Sequence, residues 1–281
     1  MRPVTACPVC GAPAGRAPVA YRRQSDFLRR CGACGSLFAD PRLEPHELPA
    51  IYEEDFYDEE HTGKDGRPVW GEAAPPLTYE TYARVLLSRY PHLKKPGARI
   101  LDYGCGLGQF LVAMKRRGAE CLGIELSDLA ARRVREETGI EVVTGAEEAL
   151  EAQADDSFDM VTLFSVLEHV CDPRALARLI YRKLAPGGVM CAVVPNVRSI
   201  RGFMTRGRCY EFRMRTHLTV WAMRGARACL GSAGFSGVGR LVFWGGRPGF
   251  GFLKNLAQLA VRALGAGSAL SVVARKGEAS A

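Results

Sequence analysis

The chain has no run of about eighteen apolar residues, so its sequence predicts no membrane-spanning helix. Its N-terminus, MRPVTACPVCG, lacks the apolar stretch of a signal peptide, and the sequence contains neither internal repeats nor low-complexity tracts. These absences argue against membrane, secreted and repeat proteins. A cytoplasmic location follows as an expectation, because ten cysteines without a secretion signal suit a reducing compartment, where paired cysteines more often bind metal than form disulfides.

The formal net charge is +8, and most of the excess is arginine. Such a balance favours acidic partners, namely nucleic acid, anionic lipid, or phosphorylated or carboxylated substrates. It is equally typical of a soluble protein whose charge aids solubility. The charge alone therefore selects no partner.

Four of the cysteines form two close pairs, CPVCG and CGACG, each followed by glycine. Two intervening residues let both thiolates turn towards one point, and two such pairs complete a tetrahedral Zn²⁺ site that has no open position for an activated water. The expected role of the metal is therefore structural, and unmetallated thiols or a redox pair are the alternatives. The ligands are Cys7, Cys10, Cys31 and Cys34.

From residue 97 onwards, short apolar runs alternate with helical segments. The repetition predicts an α/β fold with a mostly parallel sheet and helices on both faces. Ligands bind such sheets at the carboxyl ends of the strands. Asp102 and the glycines of DYGCGLG lie at one such end, and Glu125 ends the next strand. A carboxylate at that position can accept hydrogen bonds from both hydroxyls of a ribose. An acid next to the loop would repel a pyrophosphate but suits a phosphate-free, cationic cofactor.

These residues match a known family. LDYGCGLGQF and GIELS resemble the first two motifs of class I S-adenosylmethionine methyltransferases, and FSVLEHVCDP with LAPGG resembles later motifs of the small-molecule branch, including ubiquinone-biosynthesis-like O-methyltransferases. The likeness covers roughly residues 97 to 240. The cysteine pairs resemble those of a bacterial subset with a cysteine module before the core, often associated with cell-surface glycan or secondary metabolism. The resemblance implies a Rossmann-like methyltransferase fold with a seven-stranded sheet and a small zinc ribbon.

The resemblance also implies roles for individual residues. Asp102 would hold the amino-acid end of S-adenosylmethionine, and Glu125 the ribose hydroxyls. The remaining expected cofactor contacts are Gly104, Gly106 and Gly108 under the methionyl and ribose parts, Leu126 against the adenine, Gly145, Ala146 and Glu147 at the adenine edge, and Phe164 and Ser165 on the methionyl side. Glutamate at position 125 departs from the family, where aspartate is commoner.

Transfer to a hydroxyl or a carbon acid needs a base. His169 follows the fourth strand of the predicted sheet, and His217 lies where similar enzymes often have a histidine beside the substrate. Each has an alternative structural role: His169 could bond to the turn at Asp172 and Pro173, and His217 could cap a helix. Between them, the stretch 196–217 is the expected substrate lid.

The lid carries six arginines, whose forked side chains suit phosphate or carboxylate. They predict an anionic acceptor, or one linked to a lipid or carrier, although a solvated loop is the alternative. The amphipathic segment 250–265 could rest on a membrane surface or pack on the core or at a homodimer contact. The arginines are Arg198, Arg201, Arg206, Arg208, Arg213 and Arg215.

The predicted domains are a zinc module at 1–45, a helical or linker segment with a flap at 46–96, and the methyltransferase domain at 97–281. The leading interpretation is O-methylation of a small acceptor such as a sugar, glycan precursor or secondary metabolite. The alternatives are an RNA methyltransferase, disfavoured because the cysteine module has little basic or aromatic surface, and a non-catalytic protein that retains the fold.

Overall fold

The architecture is taken from a computed structural model, which describes residues 3–43, 47, 76–243 and 259–278. The helix and flap expected within 46–75 lie outside the described residues, apart from Glu47, as does most of the amphipathic segment 250–265. In the described part of the chain, no helix is both long and apolar enough to cross a membrane.

The strands and helices follow one another much as the alternating pattern predicts. The strands are β1 (Val19–Arg22), β2 (Phe27–Arg30), β3 (Leu37–Asp40), β4 (Arg99–Tyr103), β5 (Glu120–Glu125), β6 (Glu141–Thr144), β7 (Phe158–Phe164), β8 (Leu184–Pro195), β9 (Thr219–Val220), β10 (Ser236–Arg240) and β11 (Ala269–Arg275). The helices are α1 (Pro76–Arg89), α2 (Gln109–Lys115), α3 (Asp128–Thr138), α4 (Glu147–Glu151), α5 (Pro173–Lys183), α6 (Ile200–Met204), α7 (Tyr210–Arg213) and α8 (Met223–Ser232).

The described residues form a seven-stranded central sheet in the order β10-β11-β8-β7-β4-β5-β6. Neighbours from β8 to β6 pair in parallel, and β11 runs antiparallel to both of its neighbours. The inner strands are apolar on both faces because helices cover both, and Ile100, Leu101 and Leu163 are fully buried. The predicted α/β fold with a mostly parallel seven-stranded sheet is confirmed.

Local signals place the helices that frame the strand ends. The Ser127 hydroxyl accepts a hydrogen bond from the Ala130 amide at 3.2 Å at the start of α3, and Gly139 ends that helix with a φ of 61°. Asp172 caps α5 by accepting from two amides of its first turn, and Pro173 occupies the first helical position. The strand ends therefore meet helix starts at one edge of the sheet.

The N-terminal segment is joined to this core by backbone pairing and by packing. Strands β1, β2 and β3 form an antiparallel sheet that β9 extends, with Leu37 opposite Val220 and Phe38 opposite Thr219. Val9 and Phe38 are buried in the same apolar cluster as Trp221. The cysteine segment thus packs against the strand that follows the lid.

Candidate functional site

The glycine loop after β4 turns three times through left-handed backbone. Gly104, Gly106 and Gly108 have φ values of 74°, 53° and 67°, a conformation that side chains other than glycine rarely adopt. A Cβ at Gly104 would lie 2.5 Å from Val166, and one at Gly108 would lie 2.7 Å from Val134. A Cβ at Gly106 would meet nothing within 4 Å. Only the central glycine therefore faces open space, and the outer two let the loop pack against the protein itself.

The structure brings Asp102 and Glu125 to this loop. Asp102 is buried, and its carboxylate accepts a hydrogen bond from the Thr162 hydroxyl at 2.6 Å. Burial, with a smaller effect from the charge of Glu125, raises the pKa of Asp102 to about 8. Glu125 accepts from the amide of Gly106 at 2.8 Å and from that of Ser127 at 3.0 Å. Among the described residues, no cation lowers the pKa of the buried Asp102, and Glu125 places a second acid at the open glycine. Both features fit a cationic, phosphate-free cofactor.

The residues expected around the adenine lie on both sides of this edge. Leu126 is 50% exposed next to Glu125, as a surface for a planar base requires. The Gly145 amide donates to the Glu125 carbonyl at 3.0 Å, and the Ala146 amide donates to the Glu148 carboxylate at 3.0 Å. Glu147 lies close to Tyr103, whose side chain alternates in direction with that of Asp102 along β4.

Two tyrosine rings that were not assigned from the sequence, those of Tyr79 and Tyr82, pack against the predicted cofactor contact Phe164. The rings of Tyr82 and Phe164 stack with centroids 4.9 Å apart, and Tyr79 contacts both edge-on. Burial, together with the Asp102 charge, raises the pKa of Tyr79. Two tyrosines three residues apart on α1 were the available signal, because that spacing puts both on one helix face. Ser165, after β7, has a φ of 58°, a strain that often marks functional sites.

The two candidate bases lie together. The rings of His169 and His217 meet edge to face with centroids 4.8 Å apart. His169 Nδ1 bonds to the Thr216 carbonyl at 3.0 Å, and His217 Nδ1 bonds to the Glu211 carbonyl at 2.6 Å. Because a carbonyl oxygen only accepts, both Nδ1 atoms carry the proton and each neutral ring has its lone pair on Nε2.

The structure gives each histidine a backbone partner. His169 Nδ1 bonds to the Thr216 carbonyl of the lid, and the side chain of Asp172 caps α5. His217 does not cap the helix that follows it, since α8 begins only at Met223, but its Nδ1 donates to the Glu211 carbonyl near the end of α7. Burial is the main cause that lowers the pKa of His169 to about 3 and that of His217 to about 4. Both rings are therefore neutral at neutral pH.

Glu168, the residue before His169, is a further candidate that sequence reasoning missed. It is 1% exposed, and its Oε2 atom has no hydrogen-bond partner among the described residues. Burial raises its pKa to about 8. The buried Oε2 of Glu211 and Oγ1 of Thr216 also lack a partner in that part of the chain. The sequence signal for Glu168 was an acid inside the apolar run FSVLEHV. The three unpartnered atoms give the histidine pair a buried but polar environment.

The lid at 196–217 contains α6 and α7 and is anchored by Phe212, which is buried. Its outer surface carries Phe203 and Met204, which are 81% and 75% exposed. All six arginines of the lid are exposed as well. The lid surface is thus both apolar and basic.

The four paired cysteines converge on one point. Their Sγ atoms all lie within 4.8 Å of one another, with Cys7 3.8 Å from Cys34 and Cys10 3.7 Å from Cys31. A tetrahedral zinc with Zn–S bonds of about 2.3 Å separates its sulfurs by about 3.8 Å. The cluster is therefore compatible with a zinc site that four thiolates close.

Both cysteine turns have the same backbone geometry. Gly11 and Gly35 each have a φ of 77°, and each donates its amide to the carbonyl of the first cysteine of its pair, Cys7 or Cys31, at 2.8 Å. The hydrogen bond from the Cys7 thiol lowers the pKa of Cys34. This near-symmetric arrangement matches the predicted pair of turns.

A protein-family model described as "Methyltransferase domain" matches residues 78–238, more than half of the chain. The chain belongs to this methyltransferase family. The glycine loop and the acids Asp102 and Glu125, from which a cofactor site is predicted, lie within the matched residues.

Curated relatives of this methyltransferase carry the name "Ubiquinone biosynthesis O-methyltransferase". The protein of Pseudomonas entomophila is 39% identical over 99 residues, which are 33% of this chain and 42% of that protein. The protein of Hahella chejuensis is 42% identical over 98 residues, 33% of this chain and 41% of that protein. The methyltransferase thus matches about two fifths of the length of these relatives.

Solved structures share the fold at low identity. The 1,6-didemethyltoxoflavin-N1-methyltransferase of Burkholderia thailandensis aligns with a TM-score of 0.55 and 19% identity over 93% of this chain and all of that one. The [4+2]-cyclase SpnF aligns with a TM-score of 0.52 and 18% identity over 84% of this chain and 98% of that one. The Rossmann-like methyltransferase fold is confirmed. Since a cyclase shares it, the fold alone does not determine the reaction.

Proposed function

We propose that this methyltransferase transfers the methyl group of S-adenosylmethionine to a hydroxyl of a small, anionic acceptor, with the pair His169 and His217 accepting the proton. The observation that carries the proposal is this buried pair, with both Nδ1 atoms committed to backbone carbonyls. His169 lies in the segment after β7, where Val166 would contact a Cβ at Gly104 of the glycine loop. The base and the loop thus belong to neighbouring strand ends.

On the cofactor side, Asp102 would bind the cationic amino-acid end, because its buried carboxyl has a raised pKa that a bound cation would lower. Glu125 would exchange its amide contacts for the ribose hydroxyls. Leu126, Gly145, Ala146 and Glu147 would border the adenine, and Phe164 and Ser165 the methionyl chain. The open face of Gly106 would leave room for the nucleoside, with Gly104 and Gly108 shaping the turn.

S-adenosylmethionine supplies a methyl group that is already activated on a sulfonium, so the chain's own residues mainly position the acceptor, exclude water and take up a proton. A neutral imidazole with its lone pair on Nε2 can accept that proton. The low pKa of both rings makes them weak bases in the empty site. A negatively charged acceptor would raise the pKa towards neutrality, which favours an anionic substrate.

The lid supports the same substrate class. Its six exposed arginines suit phosphate or carboxylate, and the exposed Phe203 and Met204 suit an apolar part of the acceptor, including a lipid-linked one. Relatives named for ubiquinone biosynthesis are O-methyltransferases by name. These observations favour an amphiphilic hydroxy acid over a neutral metabolite, and a sugar, glycan precursor or secondary metabolite falls within that description.

We further propose that the cysteines of the N-terminal module bind one structural Zn²⁺. The division into a module at 1–45, a connecting segment at 46–96 and a catalytic domain at 97–281 is part of the same proposal. The sheet of the module pairs with β9, which supports a structural metal rather than a nucleic-acid clamp.

The test is a screen for S-adenosylhomocysteine release with three acceptor sets: hydroxybenzoates and catechol carboxylates, nucleotide-linked sugars, and short RNA. We expect turnover on an anionic small molecule, with an O-methyl product by mass spectrometry. His169→Gln and His217→Gln should each lower kcat by about 100-fold or more, as loss of a general base does, while leaving cofactor affinity nearly unchanged. Turnover on RNA alone, falling steeply with salt, would overturn the acceptor assignment.

A further inference from the structure

Arg23 lies between β1 and β2 of the cysteine module, yet its side chain reaches the end of the lid. The side chain is only 4% exposed. Its Nη1 atom donates to the Met214 carbonyl at 2.6 Å and to the His217 carbonyl at 3.0 Å. A charged side chain from the module is thus buried against the backbone of a candidate base.

The guanidinium is held in place from the other side. Its Nε and Nη2 atoms pair bidentately with Asp26, whose side chain is 3% exposed. Four directed bonds therefore fix one arginine between an acid of the module and two carbonyls of the lid. An exposed arginine that only balanced charge would need none of this geometry.

The backbone after His217 is held by the module too. The Ala39 amide donates to the Leu218 carbonyl at 2.9 Å, and Leu37 pairs with Val220. On the catalytic side, the Leu218 amide donates to the Glu168 carbonyl at 2.7 Å. The residues following His217 are thus fixed between the cysteine module and the segment that carries Glu168 and His169.

We propose that Arg23 is a positioning residue, through which the cysteine module fixes the 214–217 backbone and so sets the His217 ring against His169. The inference rests on the proposed function, in which His217 takes part in proton transfer. It makes the module a structural part of the acceptor side, although none of its residues needs to touch the acceptor.

Several groups act on the His217 ring. His169 meets it edge to face, Tyr210 lies with its ring centroid 6.4 Å away, and the Glu211 carbonyl holds its Nδ1. The charges of Arg23 and Glu211 act on it in opposite senses, Arg23 lowering its pKa and Glu211 raising it. Glu168 completes the cluster within 4.8 Å of both histidines.

The experiment measures His217 directly by NMR titration of the full chain, which has only five histidines to assign. In Arg23→Ala, loss of the cation and entry of water should raise the His217 pKa by about one unit or more and weaken the cross-peaks between the His217 and His169 rings. Arg23→Lys keeps a cation but cannot make all four bonds, so its pKa and cross-peaks should lie between those of Arg23→Ala and the unaltered protein. Arg16→Ala, at an exposed arginine of the same module, is the matched control and should change neither.

Calorimetric binding of S-adenosylmethionine checks the fold of each variant, and the affinity should change by less than about threefold because Arg23 contacts no residue of the glycine loop. If Arg23→Ala does not fold, Arg23→Lys provides the same comparison. An unchanged His217 pKa with intact cross-peaks in Arg23→Ala overturns the inference, as does a lysine variant identical to the unaltered protein, since charge alone would then suffice. The proposed function fails separately, if His217→Gln turns over as fast as the unaltered enzyme.

Discussion

The proposed cofactor side and the proposed acceptor side of this methyltransferase are built differently. The cofactor side uses one loop, residues 102–108, and the acid that ends the adjacent strand, so most of its geometry comes from neighbouring strand ends. The acceptor side joins the segment after β7, the end of the lid and the cysteine module. A shared cofactor can be recognised by a local motif, whereas an individual acceptor requires residues from distant parts of the chain.

The polar groups on the two sides also differ. Near the loop, Glu125 uses both oxygens and Asp102 accepts from Thr162, so the acids have partners. Around the histidines, buried atoms of Glu168, Glu211 and Thr216 have no partner within the part of the chain that the structure describes. An unpartnered buried polar atom costs about 1–3 kcal/mol of folding free energy. A bound molecule or water that formed hydrogen bonds with these atoms would therefore stabilise the acceptor side.

The largest expected effect tests whether the cofactor side depends on one open position. In Gly106→Arg the side chain would enter the space above the loop, and we expect S-adenosylmethionine affinity to fall at least about 100-fold, or ~2.7 kcal/mol, by calorimetry. Gly118→Arg is the matched control, because Gly118 also has a positive φ and open surroundings but lies beyond α2. The loop assignment is wrong if both variants bind the cofactor equally well.

The second prediction asks whether the module can be damaged without affecting the cofactor side. Cys10→Ser should reduce bound zinc from about one per chain to near zero, because a three-thiolate site holds the metal weakly. The Tm should fall by several degrees, at roughly 2–4 °C per kcal/mol for a chain of this size. Cofactor affinity should change little, since no cysteine ligand touches the loop.

The control for the zinc site is Cys121→Ser, a half-buried cysteine outside the cluster, which should keep its zinc. Metal analysis by mass spectrometry decides the outcome. An unaltered protein that contains no zinc would contradict the four-cysteine assignment, whatever the Tm of the variants.

The same contrast explains what the sequence could predict. Asp102, the glycines and Glu125 are recognisable because adjacent parallel strands end at the same edge of the sheet. Short spacings in the sequence therefore determine which of these residues come into contact. The approach of His217 to His169 depends on a lid whose path no local pattern describes. Arg23 gave no signal in the sequence, because its partners in the lid are two backbone carbonyls that follow it by 191 and 194 residues.

The glycine loop shows a second limit of prediction from sequence motifs. Alternating glycines were expected to clear a surface for the cofactor, yet only Gly106 faces open space. Gly104 and Gly108 are required because Val166 and Val134 occupy the positions of their missing side chains. The motif is thus partly a packing requirement, which spacing alone cannot distinguish from a binding one.

The smallest predicted effect concerns the buried acid of the acceptor side. Burial raises the folded-state pKa of Glu168 to about 8, whereas the unfolded chain releases that proton near the ordinary value of about 4.3. Between pH 6.5 and 8 the folded protein therefore binds more protons than the unfolded chain, and the free energy of unfolding should fall as the pH rises. The lowered pKa values of His169 and His217 have the opposite effect, because stability is lost as the pH falls through the ordinary histidine value of about 6.5. They therefore offset part of the fall at the lower end of this range.

Glu168→Gln keeps the shape of the side chain but cannot ionise. From pH 6.5 to pH 8, its free energy of unfolding in urea titrations should fall by about 2 kcal/mol less than that of the unaltered protein. The reason is that glutamine has no proton to release in this range. Part of the slope should remain, because burial also raises the pKa of Asp102 to about 8. Glu136→Gln, at an exposed acid on α3, should keep the full slope. Parallel slopes for the unaltered protein and Glu168→Gln would mean that Glu168 is hydrated in solution. The acceptor side would then not differ from the cofactor side in the number of unpartnered buried atoms, contrary to our inference.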